Sequence, residues 1–282
     1  MKLVGFEFFS ERTPRSGLLL DDAILDLTPL GVSEPTAAIA AGAEALRQAI
    51  GMPGTSRISV SAVHRLAPIP RPPRIFCAGL NYRDHAIESK MEMPTVPTIF
   101  VKLPSAVIGP EEPVRIPALT KQPDYEVEFA IVIGKPGRNI ARENWREHVF
   151  GYTILNDVSA RDVQLATSQW VLGKSFDTFC PIGPAIVTDD EIPDPHNLDI
   201  RLSIGGEVLQ HSNTRQLIFK APDLISYISA VTALEPGDII STGTPAGVGL
   251  GRNPRRWLQP GETMVAEVEG LGQLINPVMA AE

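Results

Sequence analysis

The chain has 282 residues, a formal net charge of −8, and 43% hydrophobic and 21% charged residues, the profile of an ordinary globular protein with room for one large or two smaller domains. The acidic balance and the absence of a basic run argue against a nucleic-acid partner, since phosphate binding requires clustered Lys and Arg. No apolar stretch reaches the ~18–20 residues that span a bilayer and the N-terminus lacks a signal-type apolar region, so no membrane partner and a cytoplasmic location are expected.

In chain order, "KLVGFEFF" and "GLLLDDAILDL" read as short strands, and the Ala-rich "PTAAIAAGAEALRQAI" as a helix near 35–50. Residues 1–66 therefore suggest a small α+β cap domain. The stretch 67–74, "APIPRPPR", holds four prolines and reads as a stiff, extended linker. Beyond it, residues 75–282 are mostly strand-like: "RIFCAGL", "TIFVKL", "EVEFAIVIG", "FGYTILNDV", "AIVT", "LDIRLSIGG", "DIISTGT" and "TMVAEVEGLG". Helices are expected near 83–90, 160–167 and 221–233. Without a repeating βαβ rhythm, the fold class is α+β, mainly β. Cys77 and Cys180, far apart in the chain, read as reduced core residues.

Several chemistries lack their usual signal. There is no G-x-S-x-G elbow, no H-E-x-x-H helix, no phosphate-binding loop and no Cys pair at zinc spacing. The glycines of "AGVGLGR" (246–252) do not fit G-x-G-x-x-G.

The segment "PDYEVEFAIVIG" (123–134) sets Asp124, Glu126 and Glu128 at alternate positions. On a strand these carboxylates share one face and repel each other, so either water screens them or a cation sits among them. Asp157, ending the apolar run of "GYTILNDVSARDVQ", can supply a third carboxylate beside Glu126 and Glu128. Asp162 is a second option, but the turn before it points elsewhere. Such an all-oxygen set suits Mg²⁺, Mn²⁺ or Ca²⁺ rather than zinc. A solvated acidic strand face, with Asp157 as a turn residue, fits the same spacing.

In "GLNYRDHAIESK" (79–90), Asn81 is placed to cap a short helix that puts His85 and Glu88 on one face at i and i+3. A carboxylate orients an imidazole, and the pair can accept a proton from water near neutral pH. An exposed helix with an incidental pair is the other reading. His148, His196 and His211 read as surface residues.

Taken together, "GLNYRDHAIES", "PTIFVKLPSAVIGP", "DYEVEFAIVIG", "FGYTILNDVSARDVQ", "GKSFDTFCPIGPAIVT" and "LEPGDIISTGTPAGVG" resemble the fumarylacetoacetate hydrolase family in order and spacing, over about residues 72–275. The resemblance extends to acylpyruvate hydrolases and 2-hydroxyhepta-2,4-diene-1,7-dioate isomerases. It implies a mixed β-roll or barrel with a small N-terminal domain, and a homodimer. It implies metal ligation by Glu126, Glu128 and Asp157, with Mg²⁺ as the usual ion and Mn²⁺ or Ca²⁺ as alternatives. His85 and Glu88 become a water-activating dyad on a lid. Lys174 and Gln164 match polar groups that contact substrate, Thr244 a substrate-binding threonine, and Lys102 and Arg161 further cations near the pocket. Asp124 and Asp162 stay structural.

The substrate the resemblance implies is a small 2-oxo acid. The complete dyad favours hydrolysis of a C–C bond in a 2,4-diketo acid of the acylpyruvate or fumarylpyruvate type. The alternatives are isomerisation of a 2-hydroxydienedioate or decarboxylation of oxaloacetate at the same site, or a non-catalytic metal-binding protein.

Overall fold

A computed structural model describes every residue except Ser33, Pro53 and Glu282. The elements run β1 (Lys2–Phe8), β2 (Glu11–Leu20), β3 (Ala23–Asp26), α1 (Pro35–Ala49), β4 (Arg57–Ser59), β5 (Val63–Leu66), β6 (Ile75–Gly79), α2 (Arg83–Glu88), β7 (Thr98–Lys102), β8 (Val107–Ile108), β9 (Val114–Ile116) and β10 (Pro123–Asp124). They continue with β11 (Val127–Ile133), β12 (Val149–Asn156), β13 (Ser159–Ala160), α3 (Arg161–Gln164), α4 (Val171–Lys174), β14 (Cys180–Thr188), β15 (Asp199–Ile204), β16 (Glu207–Asn213), α5 (Ala221–Val231), β17 (Ile239–Ser241), β18 (Thr263–Val268) and β19 (Gly272–Ala280).

The expected mainly-β architecture is present. One large sheet follows the order β4-β3-β2-β1-β14-β12-β11-β17-β6-β7, and a smaller one runs β16-β15-β18-β19-β9. Among the described residues the ends of the large sheet, β4 and β7, do not pair with each other, so it forms an open roll and not a closed barrel. The N-terminal strands belong to this sheet: β1 pairs with β14 at Lys2↔Val187 and Leu3↔Ile186. Helix α1 is broken at Gly42, whose φ of 84° only glycine adopts without strain.

The centre of the large sheet is β11, "VEFAIVI", flanked by β12 and β17. Its β-branched and aromatic residues suit a strand packed on both faces, and all seven are buried. Phe129 stacks on Tyr152 with ring centroids 5.0 Å apart. The alternation read in the sequence therefore leads into a strand without a solvent face. Glu128 sits within it at 2% exposure.

Truncating Phe129 to Ala should destabilise the fold by about 3–5 kcal/mol, the usual range for emptying a buried aromatic site. Urea unfolding checks this; a loss under ~1 kcal/mol would mean that β11 is not the packed centre of the sheet.

Candidate active site

The register of β11 on β12 brings the acids together. Val127 pairs with Asn156, and the next residue, Asp157, donates its N–H to the Glu126 carbonyl at 2.8 Å. Carboxylate oxygens of Glu126, Glu128 and Asp157 lie within 4.8 Å of one another. All three side chains are buried, which removes the solvated-face reading.

Cations and dipoles hold each acid. Lys174 Nζ donates to Glu126 Oε2 at 2.8 Å and to Asp157 Oδ2 at 2.7 Å. Lys102 Nζ donates to Asp157 Oδ1 at 2.6 Å, to the Val158 carbonyl at 3.2 Å and to the Lys174 carbonyl. Arg161 Nη2 lies 2.5 Å from Glu126 Oε1, and its Nε donates to Asp124 Oδ2 at 2.8 Å. Glu128 Oε2 accepts from Ser241 Oγ at 2.5 Å and from the Gly243 N–H at 2.9 Å.

These contacts set the charges. Burial alone would raise the Glu126 carboxyl, but Arg161 and Lys174 outweigh it and bring it down to about 2. Lys174, which burial would neutralise, is kept charged by Asp157 and Glu126. Glu128 lacks such a partner: burial first, then Asp157 and Glu126, push it up to about 8. Fully ionised, Asp124, Glu126, Glu128 and Asp157 carry four negative charges against three positive ones on Lys102, Arg161 and Lys174. One carboxylate is left without a counterion, in an all-oxygen cluster. That set fits a hard divalent cation held by Glu126, Glu128 and Asp157.

A cavity of about 760 Å³ opens above the acids, a size typical of small-molecule sites. Glu126, Glu128, Arg161, Gln164, Lys174 and Thr244 reach its wall, as do His85 and Glu88 from α2. His85 Nδ1 lies 3.2 Å from Glu88 Oε2. A carboxylate only accepts, so Nδ1 carries the proton and Nε2 is the nitrogen left for exchange. Glu88 Oε1 accepts the Gly247 N–H at 2.9 Å, which fastens α2 over the cavity. Gln164 Oε1 accepts from Arg161 Nη1 at 2.9 Å, leaving its NH₂ group to donate. The α3–α4 contact needs Gly173, where a Cβ would lie 2.4 Å from the backbone N and Cα of Gln164.

The remaining residues named from the sequence are placed as follows. Lys102 does not reach the cavity wall; its three donors are used on Asp157 and two carbonyls. The Thr244 hydroxyl donates to the Val127 carbonyl at 2.9 Å and accepts from Gln210 Nε2 at 2.8 Å. Asn81 does not cap α2: its amide donates to the Phe219 and Thr242 carbonyls and accepts from Phe219 N–H. Asp124 turns from the acid cluster to the N–H groups of Gly249 and Leu250, and Asp162 to Thr120 and Lys121. His196 is half-buried beside Trp145.

Sequence reasoning missed Gln210, a buried glutamine of β16 that accepts the Val127 N–H at 3.0 Å and braces Thr244. No local signal marks it. The glycines of 246–252 fit no nucleotide loop. They instead supply the N–H groups that grip Glu88 and Asp124.

Residues 74–279 match the family described as fumarylacetoacetate (FAA) hydrolase C-terminal. The oxaloacetate tautomerase of Xenopus laevis, named as mitochondrial, is 44% identical over 288 residues, covering 99% of this chain and 90% of that protein. Among solved structures, the fumarylacetoacetate hydrolase of Exiguobacterium antarcticum is 38% identical with a TM-score of 0.87. The maleylpyruvate hydrolase of Sphingobium sp. SYK-6, in complex with manganese (II) ion and pyruvate, is 34% identical with a TM-score of 0.84. Both alignments cover 100% of each chain. Among the described residues no helix is long and apolar enough to cross a membrane.

Two outcomes test the cluster. Below about pH 8 the Glu128 carboxyl holds a proton that an incoming cation must displace. Affinity for Mn²⁺ should therefore rise with pH up to that value, with proton release detected by calorimetry in buffers of different ionisation enthalpy. Glu128→Gln keeps an acceptor for Ser241 and Gly243, so the melting temperature should hold. Mn²⁺ affinity should fall about 100-fold or more, since even outer partners of metal ligands are worth 10–100-fold. Unchanged affinity would remove Glu128 from the ligand set.

Proposed function

Because the chain belongs to the fumarylacetoacetate hydrolase family, a family of enzymes, we propose that it catalyses enol–keto interconversion of a short 2-oxo acid of the oxaloacetate kind, with a divalent cation at Glu126, Glu128 and Asp157. The observation that carries this reading is the 44% identity to an oxaloacetate tautomerase over nearly the whole chain. It exceeds the 38% and 34% shared with the solved fumarylacetoacetate and maleylpyruvate hydrolases, and so favours proton transfer over C–C hydrolysis.

When bound, the cation supplies Lewis-acid charge that favours negative charge on the 2-oxo oxygen. The chain's own groups do the rest. Arg161 and the free NH₂ of Gln164 offer donors to the substrate's 1-carboxylate. Lys174 is held charged by Asp157 and Glu126, so it acts as a fixed positive charge near the oxygen and not as a proton donor. In the keto-to-enol direction His85 Nε2 takes the proton from C3. The C–H electron pair becomes the C2–C3 double bond, the oxygen at C2 takes up a proton from water, and the hydroxide left behind takes the extra proton from His85. The reverse direction returns a proton from His85 to C3. Glu88 fixes the ring and balances its charge while it holds the extra proton.

Hydrolysis is the second reading, favoured by the same His85–Glu88 pair, since Nε2 can equally deprotonate water. Pyruvate release separates the two. Freshly dissolved enol oxaloacetate, followed by its ultraviolet absorbance in the presence of Mn²⁺, should ketonise faster with the protein. His85→Ala should lower the rate about 10²–10⁴-fold, the usual worth of a general base, while Mn²⁺ affinity stays within twofold. Pyruvate formed from an acylpyruvate faster than the enol decays would replace tautomerisation with C–C cleavage.

A further inference from the structure

The peptide that joins Glu126 to Val127 is held by groups from distant parts of the chain. Its carbonyl accepts the Asp157 N–H at 2.8 Å, and its N–H donates to Gln210 Oε1 at 3.0 Å. The next carbonyl, that of Val127, accepts from Thr244 Oγ1 at 2.9 Å. Gln210 Nε2 in turn donates to Thr244 Oγ1 at 2.8 Å and to the Pro245 carbonyl at 3.0 Å. Gln210 and Thr244 thereby close a ring of hydrogen bonds around Val127, the residue between Glu126 and Glu128.

Strand pairing does not reach this point on the β17 side. There β11 is paired only over Ala130–Val132, and Tyr125 and Glu126 lie outside regular strand. A buried backbone N–H or C=O without a partner is costly, so side chains take over where the ladder stops. Gln210 meets that need from β16 of the smaller sheet, at 1% exposure. A neutral amide supplies an acceptor and donors together. A carboxylate at 210 would lack the donors and add negative charge near a cluster that already holds one acid without a counterion. Along a strand the direction of each side chain follows its backbone. Rotation of either peptide flanking Val127 would therefore swing Glu126 and Glu128 relative to each other.

We propose that Gln210 is a positioning residue for the acid cluster: with Thr244 it locks the two peptides flanking Val127, and so holds the Glu126 and Glu128 carboxylates in the relative placement that a divalent cation needs. This deepens the cation site of the function proposed above and rests on it.

Gln210→Met keeps the length of the side chain and removes its acceptor and donors. In the full chain, Mn²⁺ affinity measured by calorimetry should fall about 10–100-fold, the usual worth of a group that orients a metal ligand. The electron paramagnetic resonance spectrum of the bound Mn²⁺ should change shape. Ser229→Ala is the matched control, because it also orphans one buried N–H, that of Ile140, which donates to Ser229 Oγ at 2.9 Å. Ser229 lies off the cavity wall, so this variant should lower the melting temperature yet leave Mn²⁺ affinity within twofold and the spectrum unchanged. Unchanged affinity and spectrum in Gln210→Met, or a fall in affinity that Ser229→Ala matches, would overturn the positioning role and leave the cation site standing. If Gln210→Met does not fold, Thr244→Val, which opens the same ring from its other side, decides by the same two readouts. If the wild type binds no Mn²⁺, the cation site fails and the positioning role with it.

Discussion

Three carboxylates packed within 4.8 Å of one another in the middle of a sheet are the constraint on which the rest of this molecule turns. Buried like charges repel strongly in a low-dielectric interior, and desolvation adds to the cost. The fold answers with three buried cations. Lys102 and Lys174 grip Asp157 from its two oxygens, and Lys174 and Arg161 take Glu126. That leaves Glu128, which only neutral donors from Ser241 and Gly243 satisfy. The unequal treatment makes chemical sense. Two acids are held in place by cations, and the third, given only neutral donors, is the one that the proposed function leaves to a cation from solution.

Much of this was legible in the sequence where chemistry and local periodicity coincide. Alternation placed Glu126 and Glu128 two apart on one strand, and an apolar run ending in Asp157 marked the third acid. The i, i+3 spacing put His85 beside Glu88. The same periodicity misjudged Asp124, because the chain leaves regular strand between β10 and β11 and the Asp124 carboxylate turns to the loop at Gly249. Local pattern holds no information on partners brought in by long-range pairing. Gln210 meets Val127 across 83 residues, and β1 finds β14 nearly at the other end of the chain's first two-thirds. Lys102 could be read as a cation near the site, but which way its ammonium points depends on Asp157 and the Lys174 carbonyl, which lie on other strands and helices.

The arrangement also explains why one architecture suits several reactions. Under the function proposed here, a divalent cation at the acid cluster would make the 2-oxo end of a substrate a good place for negative charge, whichever bond supplies the electrons. The choice among proton transfer, water attack and loss of CO₂ then lies with what His85 faces and what the rest of the cavity excludes. Those parts come from α2 and from the loop after β17, not from the buried sheet.

That loop ties the two levels together. Within a few residues, Gly243 donates to Glu128, Thr244 to the Val127 carbonyl, Gly247 to Glu88, and Gly249 with Leu250 to Asp124, which in turn holds Arg161. Gly247 can do this because its φ of 103° is open to glycine, and because a Cβ there would lie 2.1 Å from the Leu209 carbonyl oxygen. One short backbone segment therefore fixes a carboxylate of the acid cluster, the carboxylate that orients His85, and the guanidinium beside Glu126. A shift in this loop would move all three at once. Helix α2 and the buried acids are therefore fastened to the same segment, although they sit about forty residues apart in the sequence and the loop more than a hundred further on.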